Sequence, residues 1–232
     1  MNIVDIVIFL VMSMTMVVGL YNGFVLSALH TASFFISWLI AVIFYPMVTK
    51  LILGMFPTLL QIITLYAEGS SHIALVEDRR ASLQSFSVEN ISEIVEKAKL
   101  PNPFSKILVS DFSQSLEGIQ TLGEYFDTTM AIVIINIVSF LILFLLVKAI
   151  SIAVVSLSKT LASLPVLRKY DGLAGAGFGL VRGFFIVYLI FALIPILLVL
   201  APTDIVNEYL DGSKWAGFFH HTNIFTNFVR GS

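Results

Sequence analysis

The stretch IVIFLVMSMTMVVGLYNGFVLSALHTASFFISWLIAVIFYPMVT, residues 6–49, contains no Asp, Glu, Lys or Arg. A helix needs about 20 mostly apolar residues to cross the roughly 30 Å hydrocarbon core of a bilayer. Residues 6–49 are long enough to cross twice. At their middle stands Gly19-Leu20-Tyr21-Asn22-Gly23-Phe24. Gly and Asn suit a tight connection between helices. The reading is a first span over 3–20 with Asp5 near its outer end, a turn at 19–24, and a second span over 24–45. Pro46 is expected to stop the second span, because proline lacks an amide proton and its ring crowds the preceding turn. Trp38 and Tyr45 stand toward its far end, where aromatic rings favour the headgroup region. Met1-Asn2-Ile3-Val4-Asp5 lacks the positive region that opens a signal peptide, so the first run reads as an uncleaved helix.

The same scarcity of charge recurs along the chain. Of 232 residues, 58% are hydrophobic and 12% charged, about half the charged share usual in a soluble domain. Residues 128–147, 172–181 and 183–203 are also free of Asp, Glu, Lys and Arg. A third span is expected to start near Thr129, with a helical pattern continuing to Leu164. Such a helix is longer than the hydrocarbon is thick, so it tilts or projects beyond it. Lys148 lies near that end, where a long cationic side chain can snorkel to the headgroups. Pro165 is expected to break the helix. A fourth span runs over 172–201, with Pro195 as a kink. The fold class is therefore all-α, a multi-pass membrane helix bundle of about four transmembrane helices.

Residues 47–66 are apolar but interrupted by Lys50, Gly54 and Pro57. An interfacial or re-entrant segment is the first reading and a fifth span the alternative. Residues 67–127 hold ten acids and five bases and read as a water-exposed insert. Within it Ile91, Ile94, Val95 and Ala98 follow helical spacing, ended by Pro101-Asn102-Pro103. The domains are thus 1–66, a membrane hairpin plus interfacial segment; 67–127, the acidic insert; 128–202, a second hairpin; and 203–232, a tail. Trp215, Phe218 and Phe219 suggest that the tail lies on the membrane surface. Lys159, Arg168 and Lys169 against Asp171 put the loop between spans three and four in the cytoplasm. The insert, the tail and both termini are then extracytoplasmic.

Several functions are disfavoured. A net charge of −2 does not suit nucleic acid. There is no cysteine, hence no disulfide and no thiolate metal site or thiol catalysis. No nucleotide P-loop appears, since the glycines of 175–183 lack a following Gly-Lys-Ser/Thr. His220 and His221 are adjacent rather than four apart, and no helix directs both at one metal. His30 in span two reads as a packed histidine, with titration as the sharper alternative. Ser13, Thr15, Ser27, Thr31, Ser33 and Ser37 read as interhelical hydrogen bonds. No catalytic residue, cofactor or metal is expected, and the chain reads as no enzyme.

Gly19-Leu20-x-x-Gly23-Phe24 recurs as Gly179-Leu180-x-x-Gly183-Phe184, which suggests a parallel repeat of two helical hairpins, a device common in transport folds. Gly175, Gly179 and Gly183 are spaced by four and share one helix face, with Gly172, Ala176 and Gly177 beside them. In lipid, small residues permit the close backbone approach that replaces a hydrophobic drive. Packing within one chain, self-association and a pore-lining helix all remain open. Arg182 interrupts the same helix, and a guanidinium at the bilayer centre costs about 2.5–3.5 kcal/mol on insertion scales. It reads as a topology anchor, a partner of Asp171, or a ligand for an anionic lipid head or a transported anion.

Val4-Asp5, the Gly19-x-x-x-Gly23-Phe24 turn and above all Asp171-Gly172-Leu173-Ala174-Gly175-Ala176-Gly177-Phe178-Gly179-Leu180-Val181-Arg182-Gly183 resemble the colicin V production protein (CvpA) family of bacterial inner-membrane proteins. The last segment is similar to that family's D-x-x-x-G-x-x-F-G-x-x-R-G block entering the final helix. Asn22 stands where the family often has Arg, so a role for that Arg does not transfer. The resemblance implies a non-enzymatic protein of the bacterial inner (cell) membrane, involved in toxin production or export or in envelope homeostasis. A small transporter or channel, with the Gly-rich fourth helix forming the pore, is the alternative. A scaffold binding an envelope protein through the acidic insert is another. Expected partners are the lipid bilayer, an envelope protein and a second copy through the glycine face; nucleic acid is not expected. The candidate functional residues are Gly19, Gly23, Asp171, Gly172, Gly175, Gly179, Arg182 and Gly183.

Overall fold

The computed structural model describes residues 2–100, 103–112, 118–157, 171–200 and 208–222. These are helical, with one isolated bridge between Ser82 and Thr121 in place of any strand among the described residues. Three helices are long and apolar enough to cross a membrane, Ile3–Met55, Leu122–Ser156 and Asp171–Leu198.

The first, α1 (Ile3–Met55), is broken at Gly23, whose φ of 74° and ψ of 177° leave the helical region. The two arms run in opposite directions along α7 (Asp171–Phe191). In the first arm Gly19 meets Gly175, while Met12 and Thr15 meet Gly183. In the second, Phe24 meets Phe178 with ring centroids 5.4 Å apart, and Phe35 meets Phe185 at 4.6 Å. The chain therefore folds back at 19–24, where the sequence places its turn. Pro46 does not end the second arm. The helix continues to Met55, as proline is tolerated in apolar helices whose freed carbonyl finds other partners. Residues 47–66 thus divide into the end of α1 and a separate helix, α2 (Thr58–Ala67), on either side of Phe56-Pro57.

The described residues form two compact units. One comprises residues 2–45, 140–192 and 208–222. The other comprises 46–139 and 193–200. In the second unit the acidic insert is a folded body. It contains α3 (Val76–Arg80), α4 (Val88–Ala98) and α5 (Phe104–Ser110). Helix α4 starts on a Ser87–Asn90 capping box and ends at Lys99 in the left-handed conformation, before Pro101 is reached. Its spacing buries Ile91 and Val95, as the periodicity predicts. Arg79 ties the insert together by donating to the carbonyls of Ile73 at 2.6 Å and Ser71 at 3.1 Å. Asp127 Oδ1 accepts from Ser70 N at 2.7 Å, and Tyr125 Oη donates to Leu108 O at 2.7 Å.

Helix α6 (Leu122–Leu157) begins seven residues before the expected Thr129. The cause is a capping box that the apolar pattern hides. Glu124 N donates to Thr121 Oγ1 at 3.2 Å, and Thr121 N donates to Glu124 Oε2 at 3.3 Å. The expected continuation to Leu164, the break at Pro165 and the basic residues Lys159, Arg168 and Lys169 lie outside the described residues. The last apolar run is interrupted at Ala192-Leu193 and resumes as α8 (Ile194–Leu200). Pro195 explains the break, because its ring crowds the carbonyl of Phe191.

The first unit closes with a short helix, α9 (Ala216–His221), packed on α7. Phe219 is buried against Tyr188 at 5.1 Å and Phe191 at 5.6 Å, while Trp215 and Phe218 stay exposed. The tail aromatics therefore divide between packing on a helix and facing outward.

Candidate functional site

The eight residues singled out by sequence lie on the first arm of α1, up to its break at Gly23, and on the first four turns of α7. Glycine is required there by contact. A Cβ on Gly175 would lie 2.7 Å from the carbonyl carbon of Gly23. One on Gly19 would lie 3.0 Å from the Cα of Gly179, and one on Gly179 would lie 3.1 Å from the Cα of Met16. A Cβ on Gly183 would lie 3.3 Å from the Cα of Met12. The obstacles at Gly19, Gly175 and Gly179 are backbone, which cannot move aside as a flexible side chain can, while at Gly183 the Thr15 side chain adds to the Met12 backbone. Gly172 is looser, with Leu20 O at 3.3 Å, and Gly177 faces open space. The glycine face of α7 is occupied by residues 12–23 of the same chain. The two copies of the Gly-Leu-x-x-Gly-Phe pattern meet each other through Gly19 and Gly179. Their backbones differ, since Gly23 breaks a helix and Gly183 lies inside one.

Gly23 has a second constraint. A side chain there would run into the carboxylate of Asp171, besides adopting a φ that L residues rarely tolerate. Asp171 Oδ1 accepts from Phe24 N at 2.8 Å. It thereby satisfies one of the backbone donors left orphaned where the second arm of α1 begins. Asp171 is committed to that amide, and no Asp171–Arg182 ion pair occurs among the described residues.

Asp5, at the other end of the first arm, plays a matching part. Its Oδ1 accepts from Ser213 Oγ at 2.6 Å and from Trp215 N at 3.3 Å, and its Oδ2 accepts from Asn2 N at 3.1 Å. Trp215 is the residue that caps α9. Each acid at the start of an apolar helix thus holds the start of a helix distant in sequence.

The serines and threonines of the second arm make the hydrogen bonds expected of them. Ser27 donates to Gly19 O at 3.1 Å across the fold-back, and Thr31 donates to Phe178 O at 3.3 Å on α7. Ser37 Oγ lies 3.3 Å from Ser151 Oγ on α6. Lys148 does not reach outward as expected. Its Nζ donates to Ser33 Oγ at 2.7 Å and to His30 O at 3.2 Å, and stands 5.8 Å from the centre of the Phe34 ring. It lines a cavity of about 380 Å³ together with Arg182, His30, Asn22 and Thr15. In the sequence Lys148 and Arg182 stand 34 residues apart with nothing to connect them. Spacing along two different helices carries no sign that they share one space.

The family model for the colicin V production protein matches residues 107–223. The chain belongs to the colicin V production protein family. The match runs from within α5 through α9 and contains the whole Asp171–Gly183 block. Val4-Asp5 and the 19–24 turn lie outside it. Neither a curated protein nor a solved structure matches the chain. Membership in this family, with its tie to toxin production, and three apolar helices of spanning length point together to a membrane protein.

Proposed function

We propose that this colicin V production family member acts without catalysing a reaction, in production or export of a colicin V-type toxin or in upkeep of the bacterial envelope. The observation that carries the reading is the family match over 107–223, which holds α6, α7 and the tail helix packed on α7. We take the chain to cross the inner membrane four times with both termini outside. The opposite directions of the two α1 arms along α7 support this count, and the basic residues of 158–170 support the orientation. The test is deletion in a toxin-producing host, with complementation from a plasmid. Secreted toxin activity should fall, or sensitivity to envelope-active detergents should rise, and the wild-type gene should restore it. A deletion strain unchanged in both respects overturns the proposal.

The channel alternative requires the glycine face to line a path. Residues 12–23 fill that face in the described structure. The transport reading therefore depends on the Arg182 cavity instead, and ion flux in liposomes tests it. No flux under any gradient ends it.

A further inference from the structure

Lys148 and Arg182 line one cavity, and among the described residues neither charge has a carboxylate partner. The only ion pair among the described residues is Lys97–Glu93, on the surface of the insert. No Asp or Glu lines the cavity. Asp171, the acid on the same helix as Arg182, lies eleven residues away, about 16 Å along the axis. Its carboxylate is also committed to Phe24 N. Among the described residues no hydrogen bond is made by the Arg182 guanidinium, whereas Lys148 makes two. An ammonium carries three donors, so one is left over.

Both residues belong to helices of spanning length. Cations in such helices are expensive unless a counter-charge or water reaches them, and they mark ligand or ion sites. Lys148 Nζ is held by Ser33 and the His30 carbonyl, two neutral acceptors that leave its charge uncompensated. Besides the two cations the cavity is lined by the polar residues Thr15, Asn22 and His30 and by apolar ones such as Phe144 and Leu189. A guanidinium presents a fork of donors matched to a phosphate, and an ammonium adds a point charge beside it.

We propose that the Arg182–Lys148 cavity binds a phosphate-type oxyanion, either the headgroup of an anionic phospholipid or free inorganic phosphate. Two cations in one cavity, with no carboxylate lining it among the described residues, fit a phosphate and disfavour a cationic ligand.

The full chain, purified in mild detergent and placed in nanodiscs, tests this with two probes. The first is phosphatidylglycerol, whose retention by native mass spectrometry is compared with that of phosphatidylcholine. The second is inorganic phosphate, added to discs of phosphatidylcholine alone and read as a rise in melting temperature against chloride at equal ionic strength. Wild type should prefer phosphatidylglycerol at least tenfold, or be stabilised by phosphate. The first result identifies a headgroup site and the second a free-anion site. Arg182→Gln and Lys148→Met should each remove most of the preference, and Arg182→Lys should keep part of it. A wild type with no preference and no phosphate response overturns the proposal. So do variants that fold and bind as wild type does. If a variant elutes as aggregate, the wild-type comparison alone decides.

Discussion

The Asp171 carboxylate accepts the Phe24 backbone N–H at 2.8 Å across 147 residues of chain. One apolar helix thus opens on a carboxylate supplied by the opening residue of another. Loss of such a cap costs about 0.5–2 kcal/mol. Asp171→Ala should lower the melting temperature of the detergent-solubilised chain accordingly. Asp171→Asn, which keeps the acceptor oxygen, should recover most of the loss. Equal stability of Asp171→Ala and wild type would show that the cap contributes nothing.

Gly179 and Gly177 share a helix and differ in what surrounds them. Gly179→Val drives a side chain into the backbone at Thr15 and Met16. Overpacking of this kind costs about 1–3 kcal/mol, or more where the obstacle cannot shift. Gly177→Ala meets open space and should be neutral or stabilising by up to about 1 kcal/mol. Expression level and thermal unfolding should therefore fall for Gly179→Val and stay at or above wild type for Gly177→Ala.

Asp5 holds the tail through Ser213 and the Trp215 amide. Asp5→Ala should free the 208–222 segment while leaving the α1–α7 contacts in place. Limited proteolysis near Lys214 reads this directly, with faster cleavage in the variant. Ser213→Ala should show a smaller acceleration, because the Trp215 amide still has its acceptor.

His72 is the histidine of the insert, and its environment disfavours its charged form. Burial pulls its imidazole below the ordinary value of 6.5. The unfolded chain therefore takes up that proton first as pH falls, and folding stability drops with it. The contribution is complete above about pH 6.5 and is lost progressively below. Between pH 7.5 and 5.5 the wild-type melting temperature should fall further than that of His72→Gln. Parallel pH profiles for the two proteins would refute the assignment.

Much of the fold was legible because lipid imposes a coarse rule on sequence. The spans announce themselves as charge-free runs, and the 19–24 turn as paired glycines around an asparagine. The insert helix showed in the spacing of Ile91 and Val95. What hydropathy does not show depends on local chemistry that it averages away. The Thr121–Glu124 capping box moves the start of α6 outward by a turn or two. Pro46 is carried inside a helix because neighbouring structure tolerates the missing amide. Lys148, read as snorkelling, is held by Ser33.

By itself the sequence determined that this chain is an all-helical membrane protein of the colicin V production family, and that its densest information lies at Asp171–Gly183. Hydrophobic length and residue type suffice for that, since both are properties of single segments. Only the tertiary structure decided that the glycine face is filled from within the chain, and that Asp171 caps Phe24 rather than pairing with Arg182. It alone placed Lys148 and Arg182 around one cavity. Those are relations between segments more than a hundred residues apart in two of the three cases, and between two separate helices in the last. Close backbone contact and unpaired charge become visible only when the helices are set side by side.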